Sequence, residues 1–504
     1  MKKSTLILLV GLILLLTNLT LKANDSYTVV HEKDTIIGNL RKTDIKVQVG
    51  TNPLNAFSIQ RVVKIGKSDN KGAIIMLPGS GSSFRIYEMD ESGKYENSFA
   101  GFFASQGYDV YGYSPRTESF GFGECTYGLA DCSIMKDWGI QSTLDDVEYL
   151  KSYIKKFHKA QKPAILGWSL GCFHAIASIN QHPDDYAGAV LWEGFLYSKN
   201  KTIIEGNKID VMIEDSIQNS GVYYENGTET IIYLTQLALT DPDGISPIPV
   251  FPAGTTNKQA LILAGTTPSQ CPPDFLPDYT MVMAKPDFSG FQYASYERTV
   301  TFCLSVSSYA SWQDEKEAHA AIAGDRTFTK NLKQYKAPIY VVGAGHAFGK
   351  YMKDNIDLFG SHDITWNYIS QFGHADHYLS PYHRQILDNP ILMWLNKILA
   401  SKNQKSSEAE ETNITSDITS ETKVFPNPTS GIIMISYDLK AETKINLYIT
   451  DLTGKKIIDL IKNESQFAGK YELPFDLTQL NTGLYLYVLQ TGNQTKSGKI
   501  NIVK

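Results

Sequence analysis

Apolar and polar positions change rhythm several times along this chain. Between Tyr27 and Ile65, β-branched and polar residues alternate around turn signals such as Val49-Gly50-Thr51-Asn52-Pro53, a pattern that predicts antiparallel strands opening a sheet. The rhythm then shifts. Ala73-Ile74-Ile75-Met76-Leu77 is a short continuous apolar run, as expected of a strand buried on both faces, and it ends in the small-residue loop Pro78-Gly79-Ser80-Gly81-Ser82-Ser83. A helix around Ser98 to Ser105 and a second buried strand, Tyr108 to Tyr113, follow. Leu144, Val147, Leu150 and Ile154 recur at helical spacing, and Ser142-Thr143-Leu144-Asp145 resembles a capping box, which predicts a helix over 142–157. A strand at Ala164-Ile165-Leu166, a helix over 172–181 and a strand at 187–192 continue the alternation. Strands and helices in this order imply βαβ units and a mainly parallel sheet.

From Tyr197 to Lys333 that order is lost in a stretch rich in Tyr and Pro, too long for a structureless loop, so an inserted cap subdomain is expected there. The sheet pattern resumes at Ala337 to Gly343 and at Ile364 to Ile369, and a closing helix is predicted over 382–399. Residues 401–422, dominated by Ser, Thr, Glu, Asn and Lys, bury little apolar surface and read as a flexible linker. Short alternating strands return from Val424 onward (432–437, 444–450 and 483–490), which predicts a small β-sandwich over 424–504. The expected organisation is a signal segment over 1–23, a catalytic α/β unit over 27–400 with its cap at about 197–333, the linker, and the sandwich.

Composition narrows the partners. The chain has 504 residues, a net charge of -6 and no long Lys/Arg block, so nucleic acid is not an expected partner. Met1-Lys2-Lys3, the apolar run Leu6 to Leu16 and the boundary Leu21-Lys22-Ala23 read as a secretory signal, too short to cross a bilayer, which predicts a chain working outside the cytoplasm. Five cysteines without a Cys-x-x-Cys pair argue against structural zinc. In an oxidising compartment Cys125 with Cys132, and Cys271 with Cys303, are possible bridges, and Cys172 is the expected unpaired thiol.

The chemistry centres on Gly167-Trp168-Ser169-Leu170-Gly171, a Gly-x-Ser-x-Gly between a strand and a helix. A serine on so tight a turn needs small neighbours, and the following helix N-terminus favours a developing anion beside its hydroxyl. The hydroxyl becomes nucleophilic only when a base removes its proton, and His374 in Gly373-His374-Ala375-Asp376-His377, after the last core strand, is the expected base; His377 and His346 are rivals. These histidines, with Asp376 and His362, could instead be read as metal ligands, although their spacing matches no helix-borne zinc motif.

The strand order, this elbow, the Pro78-Gly79-Ser80-Gly81 loop and the late Gly-His-Ala-Asp together resemble the α/β-hydrolase superfamily over Gly72 to Ala400. The resemblance implies a catalytic serine, acid and histidine, with oxyanion donors from the backbones of Ser80 and Leu170. Many relatives carry a histidine where this chain has Pro78. The usual position for the acid, after the penultimate strand, holds no carboxylate. Glu193, in Leu191-Trp192-Glu193-Gly194, is the preferred candidate, with Asp354 and Asp357 as alternatives. Val424-Phe425-Pro426-Asn427-Pro428-Thr429-Ser430-Gly431, Asp451-Leu452-Thr453-Gly454-Lys455 and Leu480-Asn481-Thr482-Gly483-Leu484-Tyr485 resemble the C-terminal sorting domain of type IX secretion, implying that machinery as a partner and delivery to the medium or cell surface. The expectation is a secreted serine hydrolase without a cofactor. It would cleave an ester, or secondarily an amide, in a small-molecule, lipid or peptide-like substrate. The alternative is an inactive binding protein on the same scaffold.

Overall fold

The computed structural model describes residues 26–66, 70–267, 279–400, 422–466, 469–492 and 494–504. The signal segment and nearly all of the expected linker lie outside them. Three antiparallel strands, β1 (Tyr27–Ile37), β2 (Leu40–Val49) and β3 (Ala56–Lys64), lead into six parallel ones: β4 (Ala73–Leu77), β5 (Asp109–Ser114), β6 (Ala164–Trp168), β7 (Gly188–Trp192), β10 (Ile339–Ala344) and β11 (Ile364–Ile369). Their order in space is β1-β2-β3-β5-β4-β6-β7-β10-β11. Two-residue strands, β8 (Tyr224–Glu225) and β9 (Ala310–Ser311), pair within the cap.

Side chains alternate across the parallel strands and split the interior into two cores. Ile75, Leu77, Ile165 and Leu191 face α2 (Ile140–Ile154) and α3 (Leu170–Gln181), while Ile74, Met76, Leu166 and Val190 face α1 (Phe99–Ser105) and α9 (Asn389–Ala400). Burial on both faces is why these strands read as unbroken apolar runs. The cap supplies α4 (Lys201–Asn219), α5 (Gly227–Thr240), α6 (Asn257–Thr266), α7 (Tyr296–Ser305) and α8 (Trp312–Ala323).

Some boundaries differ from expectation. The helix expected over 142–157 starts at Ile140, and no capping box forms; Glu317 on α8 instead accepts the Ile140 N–H at 2.7 Å. A carboxylate from a distant helix has taken the role that local sequence assigned to Ser142. The closing helix is divided, with a π turn over Arg384–Asp388 before α9, next to Pro390, whose ring nitrogen cannot donate.

The C-terminal sandwich pairs β15 (Lys456–Gln466), β14 (Thr443–Thr450), β17 (Gly483–Thr491) and β18 (Gln494–Ile502) in one layer. The other layer, β16 (Gly469–Asp476), β13 (Ile432–Leu439) and β12 (Lys423–Phe425), extends the central sheet to twelve strands because β16 runs parallel to β11 at Thr365–Lys470 and Trp366–Tyr471. The sequence separates these units with a polar segment; in space their sheets are continuous.

Candidate active site

Ser169 stands at the carboxyl end of β6, where open α/β sheets place their chemistry. Its φ of 56° and ψ of −126° lie where non-glycine residues are seldom found. The flanking glycines are sterically required. A side chain at Gly167 would meet the Gly171 carbonyl at 2.0 Å, and one at Gly171 would meet the Leu77 carbonyl at 2.2 Å. The strand, the bend and α3 are packed backbone to backbone, so the serine side chain is directed out of the sheet edge.

Glu193 occupies the matching position after β7 and also has a left-handed backbone, φ 54°. Its N–H donates to the Val342 carbonyl at 2.9 Å, and its carboxylate is wholly buried. Oε1 accepts from the backbone of Ala344 at 2.5 Å and Gly349 at 2.9 Å, and Oε2 from Phe348 at 3.1 Å. Oε2 also lies 3.0 Å from His374 Nδ1. Burial raises the Glu193 pKa, opposed by His374 and the backbone donors, which favour the anion. A carboxylate held as acceptor fixes Nδ1 as the protonated ring nitrogen and leaves Nε2 as the acceptor.

His374 is itself locked in place. Its N–H donates to the Thr280 carbonyl at 2.8 Å, and its ring lies between Trp168, stacked at 5.1 Å, and Tyr279 at 5.3 Å. Trp168 immediately precedes Ser169, so the elbow and the histidine loop meet through this stack. Ser169 Oγ makes no hydrogen bond to His374 in this structure; such contacts are often loose without substrate. Gly79 packs over the nucleophile, with a notional Cβ 3.1 Å from Ser169 Cβ. Among the described residues no hydrogen bond is formed by the N–H of Ser80, which follows Gly79, or by that of Leu170, which follows Ser169.

The rival residues are placed elsewhere. Asp354 accepts from the Lys199 backbone N–H at 2.7 Å at the root of the cap, and Asp357 pairs with Lys353. His377 is fully buried with neither ring nitrogen hydrogen-bonded, and burial depresses its pKa to about 3. His346 serves the loop through its backbone, accepting from Thr280 and donating to Phe372, and His362 is exposed. Among the described residues no group of three or more His, Cys, Asp or Glu is arranged to hold a metal ion. Cys125 and Cys132 form a disulfide, Cys172 is a buried free thiol, and Cys303 is also free and buried; its suggested partner Cys271 lies outside the described residues.

Two neighbours hold positions that the sequence reading did not assign to them. Asp376 is fully buried and accepts the N–H groups of Gly373 at 2.7 Å and Met283 at 3.1 Å, tying the histidine loop to the cap. Its place two residues after His374 was the available signal. Glu315 on α8 accepts from the Ser80 hydroxyl, a contact across 235 positions that no local pattern announces.

Residues 423–504 match the family model for the secretion system C-terminal sorting domain. No curated protein sequence matches the chain. Among solved structures, a candidate lipase from Sulfolobus solfataricus is similar at 17% identity and TM-score 0.52, covering 74% of this chain and 99% of its own. A monoglyceride lipase from Saccharomyces cerevisiae (13%, TM-score 0.38, 74% and 96% covered) and a carboxyl esterase from Bacillus coagulans (14%, TM-score 0.39, 73% and 98% covered) lie further off. At 17% identity the first of these likenesses carries the fold alone. The chain is an α/β-hydrolase fold followed by a type IX secretion sorting domain, which marks it for export to the cell surface or the medium.

Proposed function

We propose that the protein is an exported serine hydrolase cleaving a carboxylic ester, or secondarily an amide, through an acyl-enzyme on Ser169. The observation that carries this reading is the buried Glu193–His374 pair, locked to the elbow by the Trp168 stack. In this mechanism Ser169 Oγ attacks the substrate carbonyl carbon while His374 Nε2 takes the hydroxyl proton. Glu193 keeps the ring oriented and stabilises the imidazolium that forms. The carbonyl oxygen becomes an oxyanion facing the Ser80 and Leu170 N–H groups, and losing one such donor typically costs about 3 to 4 kcal/mol of barrier. Collapse breaks the bond to the alcohol or amine, which leaves with the proton from His374. Water then attacks the acyl-enzyme by the same route and frees Ser169. No step calls on a cofactor.

Incubation with a fluorophosphonate probe tests the reading. Covalent labelling of the wild type that is lost in Ser169→Ala supports it. A folded wild type that resists labelling and turns over no chromogenic ester would favour a binding protein on a hydrolase scaffold instead.

A further inference from the structure

The cap gathers acidic groups that no lysine or arginine balances among the described residues, and one of them reaches the loop of Ser80. Asp210 and Glu214 on α4 are fully buried against Glu315 and His319 of α8. His319 Nδ1 lies 2.8 Å from Glu214 Oε1, and His174 Nε2 lies 2.9 Å from Asp314. Neither oxygen of Asp210 has a hydrogen-bond partner, nor does Glu214 Oε2. Among the described residues no lysine or arginine pairs with Asp210, Glu214, Asp314 or Glu315; Lys316, next after Glu315 in sequence, turns to Asp215 and Gln218. Four carboxyl groups thus face two imidazoles. Buried acids without cations are costly, and burial pushes Asp210 and Glu315 up to about 7.

The seam opens on the elbow through one residue. The Ser80 hydroxyl donates to Glu315 Oε1, among the described residues no donor meets Oε2, and Glu315 is only half-buried. Ser80 follows Gly79, which packs on Ser169, and Thr228 of α5 closes over Gly81. Ionised, Glu315 would repel the oxyanion that forms beside Ser80, which penalises a neutral substrate. A substrate bringing its own cation reverses the sign of that interaction.

We propose that Glu315, backed by the Glu214–His319 pair and the unpartnered Asp210, is the specificity element of this site and selects substrates with a protonated amine next to the scissile carbonyl, as in aminoacyl esters or amides with a free α-amino group. The assignment rests on the serine hydrolase reading. In it the ammonium is held by Glu315 and does not react; the bonds made and broken remain those at the carbonyl carbon.

The test compares kcat/KM for alanine benzyl ester and N-acetylalanine benzyl ester, with enzyme concentration set by fluorophosphonate titration so that misfolded protein drops out. The expected result is at least a 10-fold preference for the free amine, with the preference reduced 10-fold or more in Glu315→Gln and largely restored in Glu315→Asp. A wild type that takes the fluorophosphonate yet prefers the acetylated ester, treats both alike or cleaves neither would overturn the subsite alone, as would a preference that survives in Glu315→Gln. Absence of labelling would remove the hydrolase reading, and the subsite with it.

Discussion

The catalytic unit and the sorting tail are both built on sheets, but they bury different things. In β4, β6, β7 and β10 every residue is buried, whereas in β17 only Tyr487, Leu489 and Thr491 are, and in β18 exposed positions alternate with less exposed ones. The catalytic unit also encloses charge. Arg116 with Asp146, Arg298 with Glu91, and His374 with Glu193 each have at least one fully or almost fully buried partner. An ion pair of the tail, Lys456 with Asp459, is about half exposed, and a buried polar contact there is the neutral Tyr437–Gln466 bond at 2.7 Å. Buried ion pairs add little net stability but are strongly destabilising when broken, so they fix geometry. The contrast teaches where this chain requires precision. The proposed acyl transfer would depend on the placement of individual atoms, whereas a sorting signal is served by a stable surface.

The largest expected effect is on the nucleophile. Ser169→Ala should lower ester turnover by roughly 10^4 or more and leave tail stability intact. Glu193→Gln should lower kcat/KM roughly 10^2 to 10^4-fold, because the histidine loses its orienting anion, while Asp354→Asn stays within a few-fold. Chromogenic ester kinetics on both variants check this, and an inactive Asp354→Asn with an active Glu193→Gln would reverse the assignment of the acid.

Ile435 lies in the tail's core with no exposed surface. Ile435→Ala should cost about 2 to 5 kcal/mol of tail stability in urea unfolding while kcat/KM is retained. Parallel loss of activity would mean that the two regions fold as one cooperative unit. Acid titration offers a gentler comparison. Burial pushes Glu315 and Asp376 in the catalytic unit, and Glu472 in the tail, up to about 7. Folded-state values above the unfolded ones mean that the native chain binds these protons more tightly, so their stabilising contribution is complete below about pH 4 and is lost as pH rises through about 7. Urea midpoints measured between pH 5 and pH 7.5 should fall, more for the catalytic transition than for the tail. Lys470 and Asp363 join the regions through a pair that is 41% and 34% exposed. Lys470→Ala should therefore change stability by no more than about 1 kcal/mol.

Much of the scaffold was legible because burial writes itself into short windows. The buried runs at 73–77 and 164–168, and the glycines around Ser169, carry strand and elbow within a few residues. Boundaries set from afar were not legible: the cap of α2 comes from Glu317, and β16 joins a strand more than a hundred positions earlier. The candidate site divides the same way. Ser169 and His374 lie in motifs, whereas Glu193 could be weighed against Asp354 and Asp357 only as one of three carboxylates following strands. The structure brings Glu193 to His374 and leaves Asp354 holding the Lys199 backbone.

By itself, the amino-acid order determined which segments become strands and helices, where the elbow forms and which tail the chain carries, since each follows from periodicity or steric demand over neighbouring residues. Tertiary structure alone decided which acid meets the imidazole and which carboxyl group approaches Ser80. Electrostatic partnership depends on distance in space, and residues 181 and 235 positions apart acquire that distance only when the sheet and its cap have closed.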